Sequence, residues 1–233
     1  MTPIERETFL LHAETEEHHT RIAQAQENIA ETFRTFRKPY VAYSGGKDSL
    51  VMLHLALQQM PDIMVYHWDY GPYYMPREIE REVINIAISV GVKAVRCETT
   101  PKYVQLKRTA VGVLGKVLYG RVIPQLKSEG YDCSLIGLRA AESRKRTRRT
   151  KSLFEKDGSI HSAFPIRHLS ARDVWAYIVS HDLPYCSHYD RYGPLLGWEN
   201  VRFCTYFDPE FDKLACSTVD GVLVPEFRNP IEG

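Results

Sequence analysis

Two things are missing from this sequence: a long apolar segment and an excess of one charge. No run approaches the ~20 apolar residues that a membrane-spanning helix needs, so we expect no membrane-embedded part. Lys and Arg number 30 against 29 Asp and Glu, and the net charge of +1 gives no overall attraction to nucleic acid or anionic lipid. Residues 1–7 lack the basic-then-apolar pattern of a signal peptide, and we therefore expect a cytoplasmic protein.

Cysteine is also scarce, and its spacing argues against the usual cysteine-based frameworks. The five cysteines are Cys97, Cys133, Cys186, Cys204 and Cys216, without a C-x-x-C pair. An odd, scattered set of this kind does not predict a disulfide framework or an all-cysteine zinc site. We expect reduced thiols in or near the core. A metal site that combines His181, Cys186, His188 and Cys204 is a weaker alternative, because only the fold can bring these residues together.

What the chain does contain is the composition of an ordinary globular protein. Its 233 residues, 44% hydrophobic and 25% charged, suit one large α/β domain. Residues 4–37 have no glycine or proline and predict a helix, with an apolar stripe formed by Ile22, Ile29, Phe33 and Phe36. We therefore divide the chain into an N-terminal helical arm, residues 1–38, and a main domain, residues 39–233, with an aromatic C-terminal extension. His12, His18 and His19 lie in the charged part of the arm and are expected to be solvated.

Beyond residue 38, short β-prone segments alternate with helical ones. Strands are predicted at 40–43, 62–68, 92–97 and 133–137, and helices at 47–60, from 76 to about 90, and at 171–181. This alternation predicts a parallel sheet between two layers of helices, a three-layer α/β/α sandwich. Ligands bind such sheets outside the carboxyl ends of the strands, which brings residues 44–49, 69–74 and 138–144 to one place.

The first of these connections has the composition of an anion-binding loop. Ser44-Gly45-Gly46-Lys47-Asp48-Ser49 joins the first strand to a helix that is apolar on nearly every face. Two glycines allow backbone N–H groups to approach an anion closely, and the helix start adds unpaired donors and a positive dipole end. Asp48 would repel a bare phosphate, so its presence suggests a Mg²⁺ bridge. Val41 stands where a Walker A motif needs glycine, which excludes that motif. The simpler alternative is a glycine turn with Ser or Asp as the helix cap.

This loop resembles the PP-loop of the N-type ATP pyrophosphatases and the related adenine nucleotide α-hydrolase-like proteins. Four later segments, residues 137–144, 164–166, 170–178 and 183–185, resemble the phosphoadenosine phosphosulfate (PAPS) reductase branch of that superfamily. The resemblance covers about residues 39–192. It implies ATP and Mg²⁺ as cofactors, with Mg²⁺ on Asp48, a nucleotide close to Asp69, and a ligand held by Arg139. The phosphate contacts that it implies come from Ser44, Gly45, Gly46, Lys47 and Ser49.

Two features separate this chain from the reductases of that branch. Those enzymes typically have a Ser-Phe-Gly first loop and a catalytic cysteine in a Glu-Cys-Gly tail, whereas Cys216 lies in the sequence Leu-Ala-Cys-Ser-Thr. The paired cysteines that adenylyl-sulfate reductases need for an iron–sulfur cluster are lacking. We therefore favour an enzyme that cleaves ATP between the α and β phosphates and transfers AMP to an acceptor, with Lys47, Asp48 and Arg139 as its catalytic residues. Two alternatives stay open: a sulfonucleotide reductase or sulfurtransferase with Cys204 or Cys216 as nucleophile, and a non-catalytic nucleotide-binding subunit.

A basic segment follows the fourth predicted strand. Six of the eight residues from Arg144 to Lys151 are basic, and the segment lies where it can reach over the phosphate site. We expect Arg144 to contact the phosphates of the nucleotide; a solvated surface and a contact with RNA or DNA are the alternatives. The region after Pro184 is rich in aromatic residues, for which core packing, a subunit contact in a homo-oligomer and substrate stacking are all open.

Overall fold

The computed structural model describes residues 1–69, 75–99, 118–157 and 160–201. The helices in these ranges are α1 (Pro3–Ala13), α2 (Glu16–Thr35), α3 (Lys47–Gln59), α4 (Arg77–Ser89), α5 (Ile123–Ser128), α6 (Arg144–Arg149), α7 (Ala171–Ser180) and α8 (His188–Leu196). The strands are β1 (Pro39–Ala42), β2 (Met64–Trp68), β3 (Val95–Glu98), β4 (Cys133–Ile136), β5 (Phe154–Asp157) and β6 (Ile160–Ala163). A π-helical turn (Leu118–Val122) leads into α5, and a 3₁₀ turn (Ala140–Glu142) lies just before α6.

The six strands form one sheet in the order β3-β2-β1-β4-β6-β5. β1 pairs in parallel with β2 and β4, and the β2–β3 and β4–β6 pairs are also parallel. In contrast, β5 runs antiparallel to β6, because the two residues between them are too few for a parallel crossover. The predicted α/β fold is therefore confirmed, with the correction that the sheet is mixed at this edge.

The strand order creates a crevice at the carboxyl end of β1. The chain moves in one direction from β1 to β2 and β3, then returns to the opposite side of β1 for β4. Because crossovers are right-handed, this reversal of direction places the connecting helices on opposite faces of the sheet. Ligands of open α/β sheets bind at such a reversal. The connections that follow β1 and β4 therefore border the expected ligand site.

Helix α3 is buried on nearly every face, as its sequence predicts. It packs against α2 and α7. Its residues that are at most 1% exposed are Lys47, Leu50, Val51, Met52, Leu53, Leu55 and Ala56. Within the described ranges, no helix is both long enough and apolar enough to cross a membrane.

The N-terminal arm consists of two helices, which corrects the single helix predicted for residues 4–37. α1 ends at Ala13, and Thr15 caps α2 by accepting a hydrogen bond from the N–H of His18 at 3.2 Å. Threonine is a favourable N-cap, and two glutamates in the first turn of α2 suit the positive end of the helix dipole. α1 packs against α7 and α2 packs against α3. A domain boundary after residue 38 stays a prediction.

The prediction that the histidines of the arm are solvated is wrong for two of the three. His18 is 3% exposed and His12 is partly buried, whereas His19 is exposed. Both His12 and His18 donate hydrogen bonds to Asp173 Oδ1 on α7, at 2.8 and 3.3 Å. Charged neighbours along the chain pointed to solvent, but the turn between α1 and α2 brings both rings onto α7.

Candidate functional site

The loop from Ser44 to Ser49 connects β1 to α3 beside the crevice. Gly45 has φ +84°, a left-handed conformation that favours glycine, and an added Cβ would lie 2.6 Å from both Cγ atoms of Val83 on α4. Gly46 is the N-cap residue of α3 and has no side chain with which to cap it. The cap position that the alternative interpretation gave to Ser or Asp is therefore occupied by Gly46, and anion binding by this loop stays a prediction.

The two serines hold the loop in shape. Ser49 Oγ accepts hydrogen bonds from the Ser44 N–H at 3.3 Å and the Ser44 hydroxyl at 3.0 Å, and it donates to the carbonyl oxygen of Gly46 at 2.9 Å. These bonds tie the end of β1 to the first turn of α3. The loop is thereby shaped by its own hydrogen bonds, and phosphate contacts from its serines stay a prediction.

Lys47 is buried, with 1% of its surface exposed. Its Nζ donates to the carbonyl oxygen of Val201 at 2.5 Å and lies 3.9 Å from Asp48 Oδ2. Its backbone N–H donates to Tyr189 Oη on α8 at 2.9 Å. The segment from α8 to Val201 therefore holds Lys47 against the loop, a contact that the sequence did not indicate.

Asp48 forms an ion pair with Arg139, the third residue after the end of β4 at the crevice. Arg139 Nε donates to Asp48 Oδ1 at 2.6 Å, and Arg139 Nη2 lies 3.5 Å from Oδ2. Burial alone would raise the pKa of Asp48, but the charges of Arg139 and Lys47 outweigh it and lower the pKa to about 2. Asp48 is therefore ionised at neutral pH. The fold brings together Asp48 and Arg139, which the sequence predicted separately as site residues.

Glu142 and Arg146 extend this ion pair. Arg139 donates its N–H to Glu142 Oε2 at 3.2 Å, and its Nη2 lies 3.7 Å from Glu142 Oε1. Arg146 pairs with the same glutamate, and its charge also lowers the pKa of Asp48. We call Lys47, Asp48, Arg139, Glu142 and Arg146 the loop cluster. Glu142 was not among the predicted site residues, and Arg146 was predicted only as part of the basic segment, although their i,i+4 spacing is the signal of a helical ion pair.

A glycine after β4 allows this close packing. An added Cβ at Gly137 would lie 2.9 Å from the backbone N and Cα of Ser49. Both of those atoms belong to the helix start and cannot move aside as a flexible side chain can. Gly137 therefore permits the end of β4 to touch the first turn of α3 and places Arg139 beside Asp48.

The remaining predicted site residues are Asp69 and Arg144. Asp69 follows β2 at the same edge of the sheet, and its two oxygens accept from Arg77 at 2.8 and 2.9 Å. Arg144 is exposed at the first position of α6, whereas Arg146 is the basic residue of this segment that joins the loop cluster. A role for Arg144 in nucleotide binding, and a contact of this segment with nucleic acid, stay predictions.

The described thiols are held in the protonated form. Burial raises the pKa of Cys97 to about 11 and that of Cys186 to about 12, and it also raises the pKa of Cys133. All three are free. Cys133 and Cys186 are buried as expected, whereas the expectation is wrong for Cys97, which is exposed because β3 lies at the edge of the sheet. Cys204 and Cys216 lie outside the described residues. Among the described residues, His181, Cys186 and His188 do not form a group that could bind a metal. The alternative of a metal site built from these residues and Cys204 therefore has no support in this part of the chain.

The aromatic region after Pro184 packs into the core as far as the structure describes it. Tyr185, Tyr189 and Trp198 surround Trp175 of α7, with ring centroids 5.0–5.2 Å away. Trp175 donates its indole N–H to the carbonyl oxygen of Trp198 at 2.6 Å. Core packing is thus the observed role of these residues, and Tyr189 adds the hydrogen bond that holds the loop.

A family comparison decides the assignment. The model of the phosphoadenosine phosphosulfate reductase domain matches residues 38–216, about three quarters of the chain. This chain belongs to the PAPS reductase domain family. The PP-loop superfamily and the PAPS reductase branch, inferred from sequence motifs, are thereby confirmed.

Known relatives are similar to this chain along part of their length. A PAPS reductase of Synechococcus sp. is 28% identical over 183 residues, which cover 68% of this chain and 72% of that protein. A PAPS reductase of Xanthomonas axonopodis pv. citri is 29% identical over 152 residues, 61% of this chain and 62% of that protein. An uncharacterized protein of Methanocaldococcus jannaschii is 28% identical over 176 residues, 70% of this chain and 36% of that protein. The chain thus spans about a third of the archaeal protein and about two thirds of the reductases.

Solved structures share the fold at low sequence identity. The phosphate complex of a Candida auris PAPS reductase has a TM-score of 0.55 at 16% identity, covering 72% of this chain and 84% of that chain. Candida glabrata FMN adenylyltransferase, in complex with FMN and the ATP analogue AMPCPP, has a TM-score of 0.55 at 17% identity, covering 76% of this chain and 60% of that chain. Both relatives are enzymes, and the shared fold does not choose between reduction and adenylyl transfer.

Proposed function

We propose that this chain binds ATP at the β1–α3 loop, cleaves it between the α and β phosphates, and transfers AMP to an acceptor oxygen. The observation that carries the proposal is an ionised Asp48 inside an otherwise positive site. The loop cluster combines three cations with two carboxylates, so its net charge is +1. Positive charge suits a polyphosphate, and a carboxylate among the cations suits a nucleotide that arrives with a divalent ion.

Asp48 fits a Mg²⁺ ion without losing its main partner. Its Oδ1 accepts the 2.6 Å bond from Arg139, but Oδ2 has only longer approaches, 3.5 Å to Arg139 Nη2 and 3.9 Å to Lys47 Nζ. In nucleotide sites, Mg²⁺ is held by one or two carboxylates together with phosphate oxygens and waters. Asp48 Oδ2 fits the role of that carboxylate. When bound, Mg²⁺ would offset the negative charge of the departing pyrophosphate.

The chain's own groups would act through position and charge. The N–H groups of Asp48 and Ser49 lie in the first turn of α3, where no intrahelical acceptor exists, and the positive end of the helix dipole adds to them. Arg139, oriented by Asp48 and Glu142, would stabilise charge on the pyrophosphate as it leaves, with Lys47 beneath the loop. Asp69, at the neighbouring strand end, would face the nucleotide. In such a site the protein takes little part in covalent chemistry, so most of the rate enhancement would come from positioning of the reacting groups.

Sulfonucleotide reduction is the second candidate, and the names of the reductase relatives favour it. A cysteine nucleophile must be available as the thiolate. The raised pKa values of Cys97, Cys133 and Cys186 work against that in the described part of the chain. This candidate therefore depends on Cys204 or Cys216.

Calorimetric titration of the purified chain with MgATP and, in parallel, with PAPS tests the proposal. We expect tighter binding of MgATP and loss of that binding in EDTA. Asp48→Asn keeps an acceptor for Arg139 while removing the charge, and it should abolish the dependence on Mg²⁺. Lys47→Ala should weaken MgATP binding at least about tenfold. Lys93→Ala is the matched control, because Lys93 pairs with Asp62 on the exposed surface.

The reaction is then followed with ATP labelled at the α phosphate. Transfer of the label to an acceptor as pyrophosphate is released would support adenylation. Metal-independent preference for PAPS, with turnover lost in Cys204→Ser or Cys216→Ser, would replace adenylation by reduction. Tight MgATP binding without turnover would favour a non-catalytic subunit. Unchanged affinity in Lys47→Ala would overturn the phosphate site itself.

A further inference from the structure

A second polar cluster lies one strand further along the sheet edge and takes no part in the proposed nucleotide chemistry. It consists of His67 on β2, Cys97 on β3 and Glu80 on α4, and we call it the edge cluster. His67 and Cys97 are register partners in the β2–β3 pair, so their side chains lie on the same face of the sheet. Glu80 Oε1 lies 2.8 Å from His67 Nε2 and 3.9 Å from Cys97 Sγ. One donor atom from each residue lies within 4.8 Å of the other two.

The hydrogen bonds of His67 show which ring nitrogen carries a proton and which one is available to a ligand. Nδ1 lies 2.8 Å from the carbonyl oxygen of Tyr43, which can only accept, so Nδ1 carries a proton. In the neutral ring, Nε2 then has a lone pair. That lone pair faces the carboxylate oxygen of Glu80 at 2.8 Å. Because the lone pair of Nε2 and the oxygen Oε1 are both acceptors, a separation of 2.8 Å requires either a proton shared between them or a metal cation that binds both.

The surroundings of Glu80 favour the metal cation. Glu80 is 6% exposed, and its Oε2 is buried with no hydrogen-bond partner in the part of the chain that the structure describes. A proton on His67 would serve Oε1 and leave Oε2 unsatisfied. Arg77, one turn earlier on α4, donates instead to both oxygens of Asp69 and to the carbonyl oxygen of Met75. A metal held by both carboxylate oxygens would serve Oε2 as well as Oε1, and it would also account for the thiol that lies beside Oε1.

We infer that the edge cluster binds one divalent cation of the zinc class. Histidine nitrogen, carboxylate oxygen and cysteine sulfur are the ligands that Zn²⁺ takes in proteins. Donors at about 2.0–2.3 Å from a tetrahedral ion lie about 3.3–3.7 Å apart, so the separations of 2.8 and 3.9 Å need to change by about 0.5 Å or less. The Tyr43 carbonyl supplies the outer hydrogen bond that orients a metal-bound histidine. On binding, the thiol proton of Cys97 passes to solvent and its sulfur bonds the metal as thiolate.

The arm contains another set of metal-ligating residues, but its carboxylate is already satisfied. Asp173 Oδ1 accepts from His12 and His18, and Oδ2 accepts from Arg21 and from both the N–H and the hydroxyl of Ser170. These donors all have an acceptor without a metal. This set therefore serves as an internal comparison for the edge cluster.

Equilibrium dialysis of the untagged full chain against ZnCl₂, with the metal measured by plasma mass spectrometry, tests the inference. We expect one Zn²⁺ per chain and, after exchange for Co²⁺, a sulfur-to-cobalt charge-transfer band. Cys97→Ser should remove the band, and Glu80→Gln should weaken Zn²⁺ binding by about 100-fold or more. The amide of Gln can donate to the lone pair on His67 Nε2, so this variant keeps the ring partnered, and circular dichroism verifies its fold.

Two variants control for binding elsewhere. Cys186→Ser alters a cysteine outside the edge cluster, whose Sγ lies 3.3 Å from Glu82 Oε2, and should leave the band intact. His18→Gln should leave the Zn²⁺ content unchanged. Absence of bound Zn²⁺ in the wild type, a band that survives in Cys97→Ser, or metal content that follows His18 would each overturn the inference. The readouts are metal content and absorption, so they do not depend on the proposed nucleotide reaction.

Discussion

Asp173→Asn should destabilise the chain strongly, because this carboxylate joins the N-terminal arm to α7. Asp173 is 0% exposed and accepts five hydrogen bonds, three from His12, His18 and Arg21 in the arm and two from Ser170. It therefore completes the capping box of α7 and anchors the arm at the same time. The substitution changes one oxygen into an NH₂ group, and in either orientation this donor faces other donors.

The expected cost follows from the burial of this charge. Breaking a buried, hydrogen-bonded ion pair by removing one charge costs about 3–5 kcal/mol of unfolding free energy. For a chain of 233 residues, each kcal/mol lowers the Tm by about 2–4 °C, so we expect a fall of roughly 10 °C. The pKa of Asp173 agrees in direction: burial alone would raise it, but hydrogen bonds from His18, Ser170 and His12 hold it well below its ordinary value of 3.8.

Urea unfolding at pH 7 and at pH 3, followed by circular dichroism, is the assay. A depressed folded-state pKa contributes stability above the unfolded pKa of about 4, and this stability is lost as the pH falls towards the folded value. The difference between wild type and Asp173→Asn should therefore be full at pH 7 and smaller at pH 3. Asp182→Asn is the control: Asp182 also pairs with an arginine of the arm, Arg6, at 3.2 Å, but its side chain is 90% exposed. Equal urea midpoints for wild type and Asp173→Asn at pH 7 would refute the reasoning.

Two further predictions concern the loop and a thiol. Gly137→Ala should lower the unfolding free energy by about 1–3 kcal/mol and weaken MgATP binding, because the new Cβ would lie 2.9 Å from the backbone of Ser49. Gly120→Ala, with nothing within 4 Å of its Cβ, is the control, and equal losses in both variants would contradict the close approach. Cys186 is 1% exposed and burial raises its pKa to about 12, so it should resist iodoacetamide at pH 8 until urea unfolds the chain. Rapid labelling of Cys186 in the folded chain, measured by peptide mass spectrometry, would count against this.

The β1–α3 loop and the starts of two helices could be predicted from the sequence because their physics is local. Two adjacent glycines before an apolar helix indicated a tight turn, and Gly45 does adopt a left-handed conformation with Gly46 as the N-cap. The spacing of Ser170 and Asp173 predicted the start of α7, and both bonds of that capping box are present. Each of these signals lies within a few residues, where backbone geometry and short-range hydrogen bonds decide the outcome.

The partners of these residues could not be predicted in the same way. Asp48 and Arg139 are 91 positions apart and meet because β1 and β4 are neighbours in the sheet. Asp173 looks like a local cap in the sequence, yet it also binds two histidines more than 150 positions away. The edge cluster joins two strands and a helix, and only the β2–β3 register places His67 beside Cys97.

The sequence by itself determined the superfamily, the chemical character of the loop, and the order of β1, α3, β2, α4, β3, β4 and α7. It did not indicate the division of the arm into two helices or the β5–β6 pair. The tertiary structure decided which charges share a site, that Arg146 rather than Arg144 joins the loop cluster, and that two histidines of the arm are buried against α7. The physical reason is the range of the forces involved. Turns and caps depend on neighbouring residues, whereas strand order and helix packing depend on apolar faces that must be buried together across the whole chain.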